Sequence, residues 1–148
     1  MKRVRAALAA DDGSTLPLVA FYAMLGLLVV LLVTAATSLY LEKKRLFTVT
    51  DGAALVGAEA FELDAIALTP AGPRPVLESD DVAAAVGDYL RGNPAPDLDG
   101  LAVERAFTAD GLSATVTVSS RWHPPVVTLF VPEGLRIEAT ATARSVFG

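Results

Sequence analysis

From residue 13 to residue 41 the chain carries no charged side chain, and residues 16–36 of that run, LPLVAFYAMLGLLVVLLVTAA, are almost wholly apolar. A helix of roughly 20 apolar residues, rising about 1.5 Å at each, crosses the hydrocarbon of a bilayer. A soluble-core helix of that length normally has a polar face. This run has none, so lipid is the surrounding that suits every side of it. The pattern predicts a transmembrane helix over 16–40, preceded by a short tail, 1–15, that is basic and then acidic. Phe21 and Tyr22 near its start and Tyr40 at its end fall where interfacial aromatics sit, and Lys43, Lys44 and Arg45 mark the far water boundary. Lys2, Arg3 and Arg5 balance those three cations on the near side, so the positive-inside rule does not orient the helix. A removed secretory signal is the competing reading. Its apolar core is usually about 7 to 15 residues, which favours an uncleaved anchor here.

Beyond Tyr40 no turn residue intervenes before Gly52, and the helix is expected to leave the membrane and run on through 41–67. Leu46, Val49, Ala53, Val56, Ala60 and Leu63 recur at three- and four-residue steps, with Phe47, Ala54, Gly57 and Phe61 beside them. This stripe, above all Ala53, Val56, Gly57 and Ala60, is the candidate packing interface, either with the chain's own domain or with a neighbouring subunit. Pro70, Gly72, Pro73 and Pro75 read as the end of the helix and a linker. Ser79 is placed to cap a short helix with Asp80 and Asp81 in its first turn and Val82, Ala83, Val86 and Leu90 on its buried side; Gly92 and Pro94 stop it.

From Leu101 the period changes to two. Leu101, Val103, Arg105 and Phe107 alternate with Ala102, Glu104 and Ala106. After Asp110 and Gly111, a turn signal, Leu112, Ala114, Val116 and Val118 alternate with Ser113, Thr115, Thr117 and Ser119. That predicts a β-hairpin. Residues 126–131, bounded by prolines, suggest an edge strand or a short apolar loop. Residues 135–146 alternate Leu135, Ile137, Ala139, Ala141 and Ala143 with polar neighbours, a strand with one wet face. The fold class is therefore α+β: a long N-terminal transmembrane helix continuing into a small domain, 68–148, with a three- or four-stranded antiparallel sheet packed on the helix.

Past Arg45 there are fourteen acidic residues against six arginines, leaving −8 on the extramembrane part, which argues against nucleic acid as a partner. The absence of cysteine removes disulfides and thiolate chemistry. His123 is the single histidine, so a zinc site or a histidine-dependent triad has no full set of partners, and it reads as a surface loop residue. Asp97, Leu98, Asp99 and Gly100 carry too few oxygen ligands for a calcium loop. No catalytic, cofactor or metal residues and no small-molecule substrate are expected, and the chain is read as non-enzymatic. Trp122, between Arg121 and His123 and before two prolines, is the candidate contact loop.

The order of these features, a short tail ending in Gly13, an apolar helix, a basic patch, then TDGAALVGA over 50–58 and a sheet ending in alternating Thr and Ala, resembles the TadE/TadG-like proteins of the tight-adherence (Tad, or Flp) pilus, which are minor pilins or pseudopilins. Asp51, Ala53, Ala54, Leu55, Gly57 and Ala58 match the D-A-A-A-L-A-G-A run of those proteins; Gly52 and Val56 depart from it. The resemblance implies a cytoplasmic tail, an extracytoplasmic sheet, and a role played through assembly with other pilus or secretion-apparatus subunits at the cytoplasmic membrane. It also makes Gly13 and Ser14 a candidate processing site. Cleavage there would put Leu18 at the fifth mature position, where many relatives have a glutamate able to pair with a free amine. The alternative is a membrane-tethered binding module or accessory subunit of a cell-envelope enzyme.

Overall fold

The computed structural model describes residues 15–61, 67–69, 72–74, 76–124, 128 and 131–145. Helix α1 runs over Leu16–Ala58; two short antiparallel strands follow, β1 (Ala67–Thr69) and β2 (Gly72–Arg74). Helix α2 (Ser79–Gly92) comes next, then β3 (Asp99–Thr108), β4 (Ser113–Trp122) and β5 (Leu135–Arg144) in an antiparallel sheet of order β3-β4-β5. The chain divides into two compact units, Met1–Thr34 and Ala35–Gly148.

In the first unit residues 16–34 are helical, and their side chains are exposed except for a half-buried Leu31. Helix α1 is long and apolar enough to cross a membrane. The hydroxyl of Thr34 donates to the carbonyl of Val30 at 2.8 Å, so this polar side chain is satisfied within the helix and needs no water.

The second unit is the α+β domain. Its core consists of Leu46, Ala53, Ala54 and Ala58 of α1, Val82 and Val86 of α2, Ala114, Val116 and Val118 of β4, and Ala139, Ala141 and Ala143 of β5, with Leu77 and Leu98 from the connections. Burial follows the period of two through β5; in β4 it does so only at the start, since residues 116–120 are all buried, Thr117 and Ser119 on the outer face included. In β3 it does not. Val103 is opposite Val118, but Ala106, not Arg105, is opposite Val116, because a one-residue irregularity intervenes between Val103 and Arg105. The extra residue reverses the alternation, as a bulge does, so Leu101 and Ala106 pack on the core while Arg105 and Phe107 belong to the other face.

Three further expectations are corrected. Helix α1 ends at Ala58 and not near residue 67, where β1 begins; Phe61 already hydrogen-bonds back to the carbonyl of Glu59. The proline-rich stretch holds the paired strands β1 and β2 rather than an unstructured linker, Pro73 lying opposite Leu68. The residue capping α2 is Glu78, and the hydroxyl of Ser79 instead accepts from the backbone N–H of Thr108 at 3.2 Å, tying the start of α2 to the end of β3. The sheet has three strands among the described residues, within the three or four expected. Of the apolar segment 126–131 only Thr128 and Val131 are described, and neither is in a strand; Thr128 N–H turns back on the carbonyl of Pro124 at 3.2 Å.

The β3–β4 turn shows how strongly local chemistry can set a register. The Asp110 carboxylate accepts from Leu112 N–H at 2.9 Å, Ser113 N–H at 2.7 Å and the Ser113 hydroxyl at 3.0 Å, and Gly111 takes the positive φ of 68° that completes the reversal. The backbone donors of Leu112 and Ser113 hold the Asp110 carboxyl below its usual range. On the outer face of the sheet the Ser119 hydroxyl, with help from Arg136, does the same for Glu104. Both groups have a lower pKa folded than unfolded, so their stabilisation is complete above the unfolded values, near 3.8 and 4.5, and is lost as pH falls through the folded ones. Thermal unfolding followed at neutral pH and at pH 3 should show a fall in midpoint in acid, and Asp110→Asn with Glu104→Gln should flatten that acid limb. An acid dependence unchanged in the double variant would disprove this assignment.

Candidate packing interface

The face of α1 that meets the sheet is built from small residues. Ala53, Ala54, Gly57 and Ala58 are buried, with Leu46 and Thr50 above them on the same side. Small side chains allow the helix backbone to approach the sheet closely, and Gly57 is the point of closest approach. A Cβ there would stand 3.2 Å from Ala114 Cβ, 3.2 Å from Val82 Cγ1 and 3.3 Å from Val86 Cγ2, so α1, α2 and β4 all meet at this residue. Gly52 serves a similar purpose one turn away: a Cβ would lie 2.5 Å from the Tyr89 hydroxyl, which explains why this chain departs from alanine at that position of the D-A-A-A-L-A-G-A run.

Strand β4 lies along α1 in the opposite direction. Ala114 is beside Gly57, and at the other end Trp122 Nε1 donates to Ser38 Oγ at 3.2 Å. The eight-residue step in the strand covers about 27 Å, and the nineteen-residue step in the helix about 28 Å, so the two end contacts are compatible with each other in length.

Of the four predicted interface residues, Ala53 and Gly57 are fully within this contact, whereas Val56 and Ala60 are half-buried at its margin. The true centre of the face runs through Thr50, Ala54 and Gly57. Thr50 was missed because it is polar; its hydroxyl donates to the carbonyl of Leu46 at 2.8 Å, which makes a buried threonine acceptable on an apolar face. Trp122 is corrected: it is 8% exposed and ends β4, so its indole is part of the fold and not a loop surface. Gly13 and Ser14 lie outside the described residues.

The opposite side of the same helix segment is open and mixes large apolar side chains with polar and charged ones. Tyr40 is 67% exposed, Phe47 51% and Leu55 53%, with Leu41 beside them and Lys44, Thr48 and Asp51 between. Tyr40, Phe47 and Leu55 recur at seven- and eight-residue steps, so three large apolar side chains stand exposed among charged ones on the side away from the sheet.

The outer face of the sheet is lined with hydroxyls. Thr115 and Thr142 hydrogen-bond across β4 and β5 at 3.1 Å, Thr117 and Thr140 at 3.0 Å, and Glu104 joins Ser119 at 2.6 Å to Arg136 at 2.8 Å. Cross-strand pairs of this kind hold register. His123 Nδ1 lies 3.6 Å from Asp99 Oδ2 at the end of the sheet, and Asp97 pairs with Arg45 at 3.7 Å. Among the described residues no group of three His, Asp or Glu side chains is placed to hold a metal ion.

The fold and this interface define a class of protein: one long apolar helix whose C-terminal part is the spine of a small antiparallel sheet domain. Residues 13–60 match a family model described as "Putative Flp pilus-assembly TadE/G-like". The match covers the apolar helix and its small-residue face, and the sheet lies outside it. No curated protein and no solved structure matches the chain.

Proposed function

We propose that this protein is a membrane-anchored minor pilin or pseudopilin-like component of a Tad/Flp-type pilus or a related secretion apparatus, non-enzymatic and acting through helix and domain packing. The observation that carries the reading is the coincidence of the TadE/G-like match over 13–60 with a helix that leaves Tyr40, Phe47 and Leu55 exposed on the side away from its sheet. A monomer gains nothing by exposing a helical apolar stripe, whereas a subunit in an assembly uses such a stripe against its neighbours. The partners in this reading are the membrane and other pilus or secretion-apparatus subunits. The alternative of a tethered binding module drew on the sheet edge or the Trp122 loop, and the burial of Trp122 removes the second of these.

The reading requires the tail on the cytoplasmic side of the cytoplasmic membrane and the sheet outside. The chain has no cysteine, so single cysteines report position cleanly. Cysteine placed at the exposed turn residue Ala109 should react with an impermeant maleimide on intact cells, after outer-membrane permeabilisation where there is such a membrane, and one at Ala6 should react only after lysis. The reverse pattern would rule out the pilin-like topology.

A further inference from the structure

Lys44 and Asp51 stand exposed on the open side of α1, and neither charge is answered from its own helix. The positions three and four residues from Lys44 are Tyr40, Leu41, Phe47 and Thr48, and those around Asp51 are Phe47, Thr48, Ala54 and Leu55, so no opposite charge lies in helical reach of either. The seven-residue step between them spans about 10.5 Å, too far for the two to meet each other. Among the described residues neither side chain takes part in an ion pair; Arg45, beside Lys44 in sequence, has Asp97 instead. Tyr40, Phe47 and Leu55 are exposed on the same side, and positions 40, 44, 47, 51 and 55 follow one another at steps of four, three, four and four, the spacing of a seam between two helices. Resting on the anchor reading above, we infer that this seam receives the same segment of a second copy of the chain, running in the same direction and shifted by seven residues, so that Lys44 of one copy faces Asp51 of the other.

Charge complementarity selects both the occupant and the register. Two copies side by side without a shift would set Lys44 against Lys44 and Asp51 against Asp51, and like charges facing across a helix seam are unfavourable. A shift of one seven-residue repeat keeps the apolar layers, with Tyr40 meeting Phe47 and Phe47 meeting the turn of Ala54 and Leu55, and replaces the like-charged layers by one opposite pair. The apolar layers hold the copies together. An exposed ion pair adds little affinity, and its effect is to reject the unshifted alignment. An antiparallel pair centred between Phe47 and Thr48 would also bring Lys44 to Asp51. Tyr40, however, is four residues beyond the apolar run 16–36, within about 14 Å of chain, so copies anchored in one membrane start this segment from the same surface, which favours the parallel arrangement.

Disulfide trapping of the full chain in its membrane tests the register, since no native cysteine competes. Two differently tagged copies, one with Tyr40→Cys and one with Phe47→Cys, are expressed together and oxidised. The mixed 40–47 product should exceed the 40–40 and 47–47 products by about fivefold. Lys44→Asp in both copies should abolish that excess by facing two carboxylates, and Lys44→Asp with Asp51→Lys should restore it. Both positions are exposed, so these variants should keep the parent's Trp122 emission. Dominant 40–40 and 47–47 products would overturn the shift, and so would an excess that survives Lys44→Asp alone. A mixed product of Tyr40→Cys with Leu55→Cys in place of the 40–47 product would show an antiparallel pair, and no product between copies would show that the seam does not receive a second copy. Maleimide labelling at positions 6 and 109 reads the topology separately, so each of these failures can be told from a failure of the pilin-like reading.

Discussion

Gly57→Val is expected to melt about 15 °C below the parent chain, whereas Gly57→Ala stays within a few degrees of it. Alanine gains about 0.8 to 1.0 kcal/mol of helix propensity over glycine, and its Cβ would press on Ala114, Val82 and Val86 at 3.2 to 3.3 Å, distances that the neighbours relieve by moving a few tenths of an ångström. The two effects nearly cancel. Valine adds two methyl groups at a junction of two helices and the central strand. Val82 and Val86 are β-branched and stiff in α2, and Ala114 is held by partners on both sides, so nothing nearby can rotate away. Overpacking of this kind costs about 3 kcal/mol, a large part of a stability of about 5 to 15 kcal/mol. Urea or thermal unfolding of the full chain in detergent, followed by the fluorescence of Trp122, measures it. Adding Val82→Ala should recover part of the loss if the clash is at this junction. Equal stability of the valine and alanine variants would show that α1 does not pack on the sheet at Gly57.

A larger effect, complete loss of membrane association, is expected from Leu25→Arg combined with Leu28→Arg. Residues 16–36 include twelve Leu, Val and Phe residues, which at about 0.3 to 0.6 kcal/mol each favour insertion by about 5 kcal/mol. Each arginine near the helix centre costs about 2.5 to 3.5 kcal/mol, so two of them offset the whole gain. In the first unit no other element is described that could cover them, since both leucines are exposed there. Alkaline extraction of membranes should leave the parent and the Leu25→Ile, Leu28→Ile control in the pellet and release or destabilise the arginine variant. Retention of the arginine variant in the pellet would mean that the run is not a lipid-exposed span.

The hairpin and the last strand were readable because alternation survives wherever one face is buried and the other is wet. Ala139, Ala141 and Ala143 kept that rhythm through to the structure, whereas in β4 the inward Ala114, Val116 and Val118 are buried together with Thr117 and Ser119 of the other face. The small-residue run of α1 was readable for a different reason: alanine and glycine at helical spacing identify a face that something approaches closely, even when they do not say what.

What the chain alone determined is the apolar helix, the change of period at Leu101, the Asp110-Gly111 turn and the α+β class, since each depends on residues near one another in sequence and on the contrast between apolar and polar side chains. The tertiary structure decided the rest. Helix α1 stops at Ala58, and the face it buries is centred on Thr50, Ala54 and Gly57, because contact with β4 and α2, not the average hydrophobicity of a stripe, selects which side turns inward. The irregularity in β3 reversed its inward residues, a change that depends on pairing with β4 and leaves no mark in the alternation itself. Trp122 went from a candidate surface residue to a buried one because its partner, Ser38, is far away in sequence and adjacent only once the strand has folded back along the helix.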